Sequence, residues 1–308
     1  MSRVWISAGG TGGHIYPAIA IYDALKKQGF QVTYIGGDQE SMEKTICHKK
    51  EINFHGTHNL KWLGWAKVIL WLWQLICSIK DLFKLGREEK PAFVLIMGGY
   101  PCVSSGLIAI FTGIPLYLHE QNSVMGQTNR LMYPFIQKGF CAYENLLETY
   151  PKLIHVGNPS AIVPVKKPRE LTQQKLKILS FGGSGGARQL NRLMQALIET
   201  HALKDCEIWH IIGDYDDHML KLNGQGVKIE RYNDNIQEAY QWADLAITRS
   251  GAMTLTELTL AGLPALLLPF PFATLDHQEK NASYFVSKGA AWMCDDSPEG
   301  IVEQVESI

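Results

Sequence analysis

Arg3-Val-Trp-Ile-Ser7, the loop Gly9-Gly-Thr-Gly-Gly-His14, an amphipathic stretch from His14 to Gln28 and the run Phe30-Gln-Val-Thr-Tyr-Ile35 follow one another at the start of the chain. That succession predicts strand, glycine turn, helix, strand. Pro17 in the helix's first turns, where a missing N–H matters little, and Gly29 just past its last charged residues mark the two ends. Phe93-Val-Leu-Ile-Met97 and Pro115-Leu-Tyr-Leu-His119 are further strand candidates, each followed by a glycine-bearing loop and a helical stretch. Strands alternating with helices imply an α/β protein with a parallel sheet covered on both faces. The rhythm breaks after Gly157-Asn-Pro159, where Pro164, Pro168 and mixed charges show no sustained period. Residues 160–175 are therefore expected to link a domain at 1–159 to one at 176–308. The second begins as the first does, with Leu176-Lys-Ile-Leu-Ser-Phe181, a glycine loop at 182–186 and a helix from Arg188 to Thr200. Glu207–Ile212, Asp244–Thr248 and Pro264–Pro269 supply its later strands. The economical architecture is two Rossmann-like halves facing across a cleft, with ligands at the carboxyl ends of the strands.

A chain of 308 residues is long for one hydrophobic core. Its 29 Lys+Arg balance 30 Asp+Glu for a formal net charge of -1, so no global field recruits nucleic acid. The six cysteines lie far apart without a C-x-x-C pair, which argues against a zinc knuckle or a disulfide framework and for a reducing compartment. No cationic leader precedes the first strand, and a cytoplasmic location is expected. The run Val68-Ile-Leu-Trp-Leu-Trp-Gln-Leu-Ile-Cys-Ser-Ile79 falls short of the roughly 20 residues that span a bilayer, which leaves a buried or membrane-surface helix.

Glycines between a strand and a helix let the backbone approach a ligand, and the exposed N–H groups at the helix start favour phosphate. One such loop is as easily a simple tight turn; two in tandem halves favour phosphate. Neither loop fits G-x-G-x-x-G, since Ile15 and Arg188 stand where the third glycine belongs, and neither is followed by Lys-Ser/Thr. Dinucleotide-dependent redox chemistry and ATP hydrolysis both lose ground. His14 abuts the first loop and is the candidate general base, with helix capping as the plainer role. Glu257, a little into the helix after Thr248-Arg-Ser-Gly251, either complements a helix N-terminus or accepts ribose hydroxyls. Asp276-His-Gln-Glu-Lys-Asn281 offers groups suited to sugar hydroxyls. Asp214-Tyr-Asp216 has the form of a metal-holding D-x-D, although a solvated acidic loop is the favoured reading.

Taken together, Gly9–His14, Gly98-Gly-Tyr100, His119-Glu-Gln-Asn122, Gly157-Asn-Pro159, Gly182-Gly-Ser184, Arg249-Ser-Gly251 with Glu257, and Asp276-His-Gln278 with Asn281-Ala282 resemble the MurG family, in order and across nearly the whole chain. That family comprises the bacterial UDP-N-acetylglucosamine:undecaprenyl-pyrophosphoryl-N-acetylmuramoyl-pentapeptide N-acetylglucosaminyltransferases. The resemblance implies a GT-B fold and an inverting transfer of GlcNAc from UDP-GlcNAc to the C4 hydroxyl of the muramoyl sugar of lipid I, giving lipid II. No metal or other cofactor is implied. His14 would be the catalytic base. Ser184, Asn233, Ala252, Met253, Thr254, Leu255, Thr256, Glu257 and Gln278 would hold the donor, with Thr11, Gly12, Gly13 and Asn122 closing on its sugar. Gly10, Tyr100, Glu120 and Gln121 would contact the acceptor.

Many members of that family carry Arg two residues after Gly-Asn-Pro, where this chain has Ala161, and Gln where it has Gly185. Ending at Ile308, the chain is expected to lack the family's C-terminal crossover helices. A related diacylglycerol glycosyltransferase and a sugar-nucleotide-binding scaffold without turnover are the alternatives; His119-Glu-Gln-Asn122 speaks against the first, and His14, Glu257 and Gln278 against the second. The resemblance also implies a peripheral protein at the cytoplasmic face of the inner membrane, with an anionic membrane surface and other cell-wall enzymes as partners. The helix from Val68 bears on this. Val68, Trp71, Leu72, Leu75, Ile79, Leu82 and Phe83 form one core-type stripe. Ile69, Trp73 and Ile76 form a second that runs into Lys80, Lys84 and Arg87, a pattern suited to lipid headgroups.

Overall fold

A computed structural model describes residues 2–37, 41–58, 68–164, 175–183, 185–270 and 276–308. The chain divides into two compact units, Met1–Ser160 and Ala161–Ile308. Most of the expected linker, 165–174, lies outside the described residues.

The first unit runs β1 (Arg3–Ser7), α1 (Gly12–Lys27), β2 (Gln31–Gly37), α2 (Met42–Lys49), β3 (Phe54–Thr57), α3 (Val68–Glu89), β4 (Val94–Ile96), α4 (Pro101–Thr112), β5 (Leu116–Glu120), α5 (Gln127–Met132), β6 (Lys138–Cys141) and β7 (Leu153–His155). Its seven-stranded sheet has the order β3-β2-β1-β4-β5-β6-β7, all parallel. One core, with Val4, Ile6, Ile15, Tyr34 and Met97, packs on one face. A second, with Trp5, Leu82, Ile96, Ile108 and Leu118, packs on the other. The alternation of Val4 and Ile6 against Trp5 is the period of two that sends successive side chains to opposite faces.

Helix α1 begins at Gly12, two residues earlier than the sequence suggests, so Pro17 sits inside it and leaves the Gly13 carbonyl without its intrahelical donor. Its C-terminus closes as the glycine predicts. Gly29 adopts φ +87 and donates to Lys26 O, while Phe30 N–H reaches Leu25 O.

Helix α3 buries Ser78 and Leu82 and keeps Trp71, Leu75 and Ile79 half-buried. Leu72 and Phe83, expected in that core stripe, are instead each 47% exposed. At 100° per residue they fall on the flank shared with Ile69 (80% exposed), Trp73 (57%) and Ile76 (52%). Among the described residues, no helix is long and apolar enough to cross a membrane.

The second unit runs β8 (Leu176–Phe181), α6 (Arg188–Glu199), β9 (Cys206–Ile211), β10 (Val227–Glu230), α7 (Ile236–Trp242), β11 (Leu245–Thr248), α8 (Ala252–Leu260), β12 (Ala265–Leu267), α9 (His277–Ser287), β13 (Ala291–Met293) and α10 (Pro298–Ser307). Its parallel sheet, β10-β9-β8-β11-β12-β13, reproduces the 3-2-1-4-5-6 order that opens the first sheet. Strand order reverses between β1 and β4, and again between β8 and β11. Crevices at the carboxyl ends of the strands form at such switch points.

Candidate functional site

In the first unit the loops after β1 and β4 meet at the switch point. Gly9 N–H donates to Gly98 O at 3.3 Å. A side chain at Gly99, whose φ is +88, would put its Cβ 2.1 Å from Gly9 O, so only glycine allows this approach. Cys102 Sγ ties the same two loops, lying 3.0 Å from Ser7 O and 3.1 Å from Gly98 O. Burial pushes its thiol up to about 11, and all six cysteines are unpaired.

At the start of α1, His14 N–H and Ile15 N–H both donate to Thr11 O. The N–H groups of Thr11, Gly12 and Gly13 have no hydrogen-bond partner among the described residues. They form an open helix N-terminus of the kind that attracts anions. His14 follows directly. Its ring lies against Gly98, where a Cβ would come within 2.7 Å of Cε1. Its Nδ1 is 2.7 Å from Gln121 Oε1. Gln121 Nε2 is 2.9 Å from His119 O and 3.1 Å from His119 Nδ1, and His119 Nε2 is 2.9 Å from Gly157 O. His119 is buried, which holds its imidazole down to about 4.

The four residues expected on the acceptor, Gly10, Tyr100, Glu120 and Gln121, lie on or behind these loops. Gln121 and Glu120 are fully buried. Glu120 accepts from Asn122 N–H at 3.1 Å, Gly126 N–H at 2.9 Å and Asn129 Nδ2 at 2.9 Å, and so shapes the 120–126 loop from within. The Tyr100 hydroxyl donates to Glu43 at 2.9 Å, and Gly10 N–H points to the same carboxylate at 3.5 Å. The Glu120 and Gln121 side chains thus support the loops in front of them. Asn122, on the same loop, is half-exposed.

Glu43 itself was not legible in the sequence. It is buried on α2, a short polar helix, and also accepts Gly37 N–H at 3.2 Å. No spacing marks it; only the fold brings it under the glycine loop.

In the second unit, α8 follows β11, the strand that corresponds to β4. Leu255 N–H donates to Gly251 O, while the N–H groups of Ala252, Met253 and Thr254 have no partner among the described residues. The side chains of Ala252, Met253 and Leu255 are buried, so at these positions the backbone is what is offered. Thr254 is half-exposed, and Thr256 Oγ1 donates back to Ala252 O at 2.9 Å. Glu257 accepts from Tyr240 Oη at 2.8 Å, and burial raises its carboxyl above the ordinary range. It stands in the second turn of α8, too deep for complementing the helix start to be its main effect.

Gln278 Oε1 accepts from Phe270 N–H at 3.0 Å. The Asn233 side chain is engaged locally, donating to Glu230 at 2.9 Å and accepting Asn235 N–H at 2.7 Å. In the second glycine loop Gly183 and Gly186 take φ of +85 and +77; Ser184 lies outside the described residues. Arg249, buried at the end of β11, donates to Leu268 O at 2.8 Å and pairs with Asp296 at 2.9 Å.

Asp214 accepts from the Tyr232 hydroxyl, and Asp216 from Asn191 Nδ2 at 3.0 Å. Among the described residues no group of three His, Cys, Asp or Glu is arranged to hold a metal ion.

Residues 4–141 match the glycosyltransferase family 28 N-terminal domain and residues 177–308 the glycosyltransferase family 28 C-terminal domain. The chain is 35% identical over 302 residues to the UDP-N-acetylglucosamine--N-acetylmuramyl-(pentapeptide) pyrophosphoryl-undecaprenol N-acetylglucosamine transferase of Shewanella amazonensis, covering 94% of this chain and 83% of that one. The corresponding transferase of Shewanella pealeana is 35% identical over 317 residues, covering 98% and 85%. Among solved structures, MurG of Acinetobacter baumannii superposes with a TM-score of 0.78 at 29% identity, covering all of this chain and 90% of that one. The glycotransferase of kitacinnamycin, at 15% identity and a TM-score of 0.76 over all of this chain and 91% of that one, shares the fold.

Proposed function

Since the chain belongs to glycosyltransferase family 28, with the two-domain α/β GT-B fold of the MurG enzymes, we propose that it transfers GlcNAc from UDP-GlcNAc to lipid I, forming lipid II and UDP. The observation that carries the reading is local. An imidazole, His14, stands at the open N-terminus of α1, braced on one side by Gly98 and on the other by Gln121. The acceptor's C4 oxygen attacks the anomeric carbon, the bond from that carbon to the β-phosphate oxygen breaks, and His14 takes the hydroxyl proton. Configuration inverts. Negative charge grows on the departing UDP, and fixed N–H donors aimed at it lower the barrier. On this reading the N–H groups of Ala252, Met253 and Thr254 take that role, with Ser184 as a further phosphate donor. Glu257 takes the ribose hydroxyls, Gln278 the GlcNAc and the backbone at Asn233 the uracil. Thr11, Gly12, Gly13 and Asn122 contact the donor sugar, and the loops at 9–14, 98–106 and 119–126 hold the acceptor pyrophosphate. On this reading stabilisation by preorganised N–H groups at a helix N-terminus serves in place of a metal.

The same reading sets the protein on the cytoplasmic face of the inner membrane as a peripheral enzyme. There it supplies lipid II for peptidoglycan, and so for cell shape and division, beside other cell-wall enzymes. The exposed flank of α3 supports this by placing Ile69, Trp73 and Ile76 in line with Lys80, Lys84 and Arg87. The decisive experiment incubates the protein with labelled UDP-GlcNAc and either lipid I or diacylglycerol, with and without EDTA. Lipid II formed in EDTA is expected. A glycosylated diacylglycerol would shift the assignment to the related lipid enzyme, and activity restored only by Mg²⁺ or Mn²⁺ would overturn the metal-free mechanism. His14→Ala should abolish transfer and leave UDP binding nearly intact; equal loss of both would move His14 to the donor site.

A further inference from the structure

The hydrogen bonds behind His14 have only one consistent set of directions. His119 O is a carbonyl and can only accept, so the Gln121 group 2.9 Å from it is the amide NH2. The Gln121 oxygen therefore faces His14. Because that oxygen too can only accept, His14 Nδ1, 2.7 Å away, must carry a hydrogen. The chain closes in the other direction as well. Gly157 O accepts from His119 Nε2, which leaves His119 Nδ1 as a bare acceptor for the second N–H of Gln121. This pattern needs His119 neutral, the state its burial favours. Both hydrogens of the Gln121 amide are thus used, and the amide cannot turn over without setting its oxygen against a carbonyl. On His14, Nε2 makes no hydrogen bond among the described residues.

We propose that Gln121 is a positioning residue for His14: anchored through His119 to the Gly157 carbonyl, it holds the imidazole as the Nδ1–H tautomer and so makes Nε2 the nitrogen that takes the acceptor proton. The inference rests on His14 being the base. The second ring nitrogen of a histidine fixes what the first can do, and a base held in the wrong tautomer loses rate without losing its substrates.

The test uses the whole chain labelled with ¹⁵N at histidine, the His14 resonances being assigned by their loss in His14→Gln. In its neutral form His14 in the parent is expected to show a protonated Nδ1 and a bare Nε2, against the Nε2–H form that unrestrained histidine prefers. Gln121→Met, close in shape but without the acceptor, should shift His14 toward Nε2–H. It should also lower kcat on the order of 10- to 100-fold, with KM for UDP-GlcNAc and affinity for UDP unchanged. A parent His14 already in the Nε2–H form, or an undiminished kcat in Gln121→Met, would overturn the proposal. The parent spectrum decides even if the variant fails to fold. Transfer retained by His14→Ala would instead remove the base assignment on which the proposal rests.

Discussion

Glu257 is a buried carboxyl hydrogen-bonded to the Tyr240 hydroxyl. Its carboxyl is raised by burial, an effect only partly opposed by the Tyr240 hydroxyl. The folded-state value therefore lies above the unfolded one. Stability from this group is fully present when the carboxyl is protonated and is lost as pH rises through the raised value. Burial thus disfavours the charged form of this group. Glu257→Gln should accordingly weaken UDP-GlcNAc binding by about 1–3 kcal/mol, the range for a charged hydrogen-bond partner, while Tm at neutral pH does not fall. Calorimetry and a thermal melt read the two; unchanged affinity would take Glu257 out of the donor site. At this scale the sequence reveals residues whose role is local. Glycines flanking a helix start identify the loop, and the histidine beside it follows. Gln121 and Glu43 are different. Gln121 meets His14 across 107 positions of chain, so its place emerges only from the packing of β5 against the switch point.

Helix α3 is the element whose two faces answer to different surroundings. The buried face ends at Leu82, whereas Leu72 and Phe83 join Ile69, Trp73 and Ile76 on an exposed flank that continues into Lys80, Lys84 and Arg87. Periodicity located both stripes but could not set the boundary between them, because neighbouring apolar positions differ only in which tertiary partner reaches them. Changing Ile69, Trp73 and Ile76 together to Ser or Gln should reduce sedimentation with anionic liposomes. Salt should weaken what remains, and transfer to a short-chain soluble acceptor should survive. Undiminished liposome binding by the folded triple variant would exclude this flank. Long apolar strands were likewise legible, whereas β3, β6, β7, β10 and β13, of three or four residues each, were not. Phe54-His-Gly-Thr57 and Lys138-Gly-Phe-Cys141 carry no alternation; they are strands because β2 and β5 beside them supply the ladder.

Across the whole molecule, each unit contains one fully buried histidine held to about 4, His119 in the first and His210 in the second. The folded values lie below the unfolded value near 6.5, so this contribution to stability is present above 6.5 and is lost as pH falls toward 4. Tm should decline through that window in steps belonging to both units, and a Tm flat from pH 7 to 4 would contradict it. The repeated strand order was anticipated because both halves open with the same strand, glycine loop and helix. The contact of Gln121 with His14 was not, since the two lie far apart in the chain. One property of the cores reaches further. The four apolar clusters each draw on a single unit, two from residues 4–153 and two from residues 178–305. A lineage can therefore exchange its second half by recombination near the Ser160 and Ala161 junction without repacking either interior, so that a new specificity is acquired by inheritance of a module instead of by gradual redesign of a pocket.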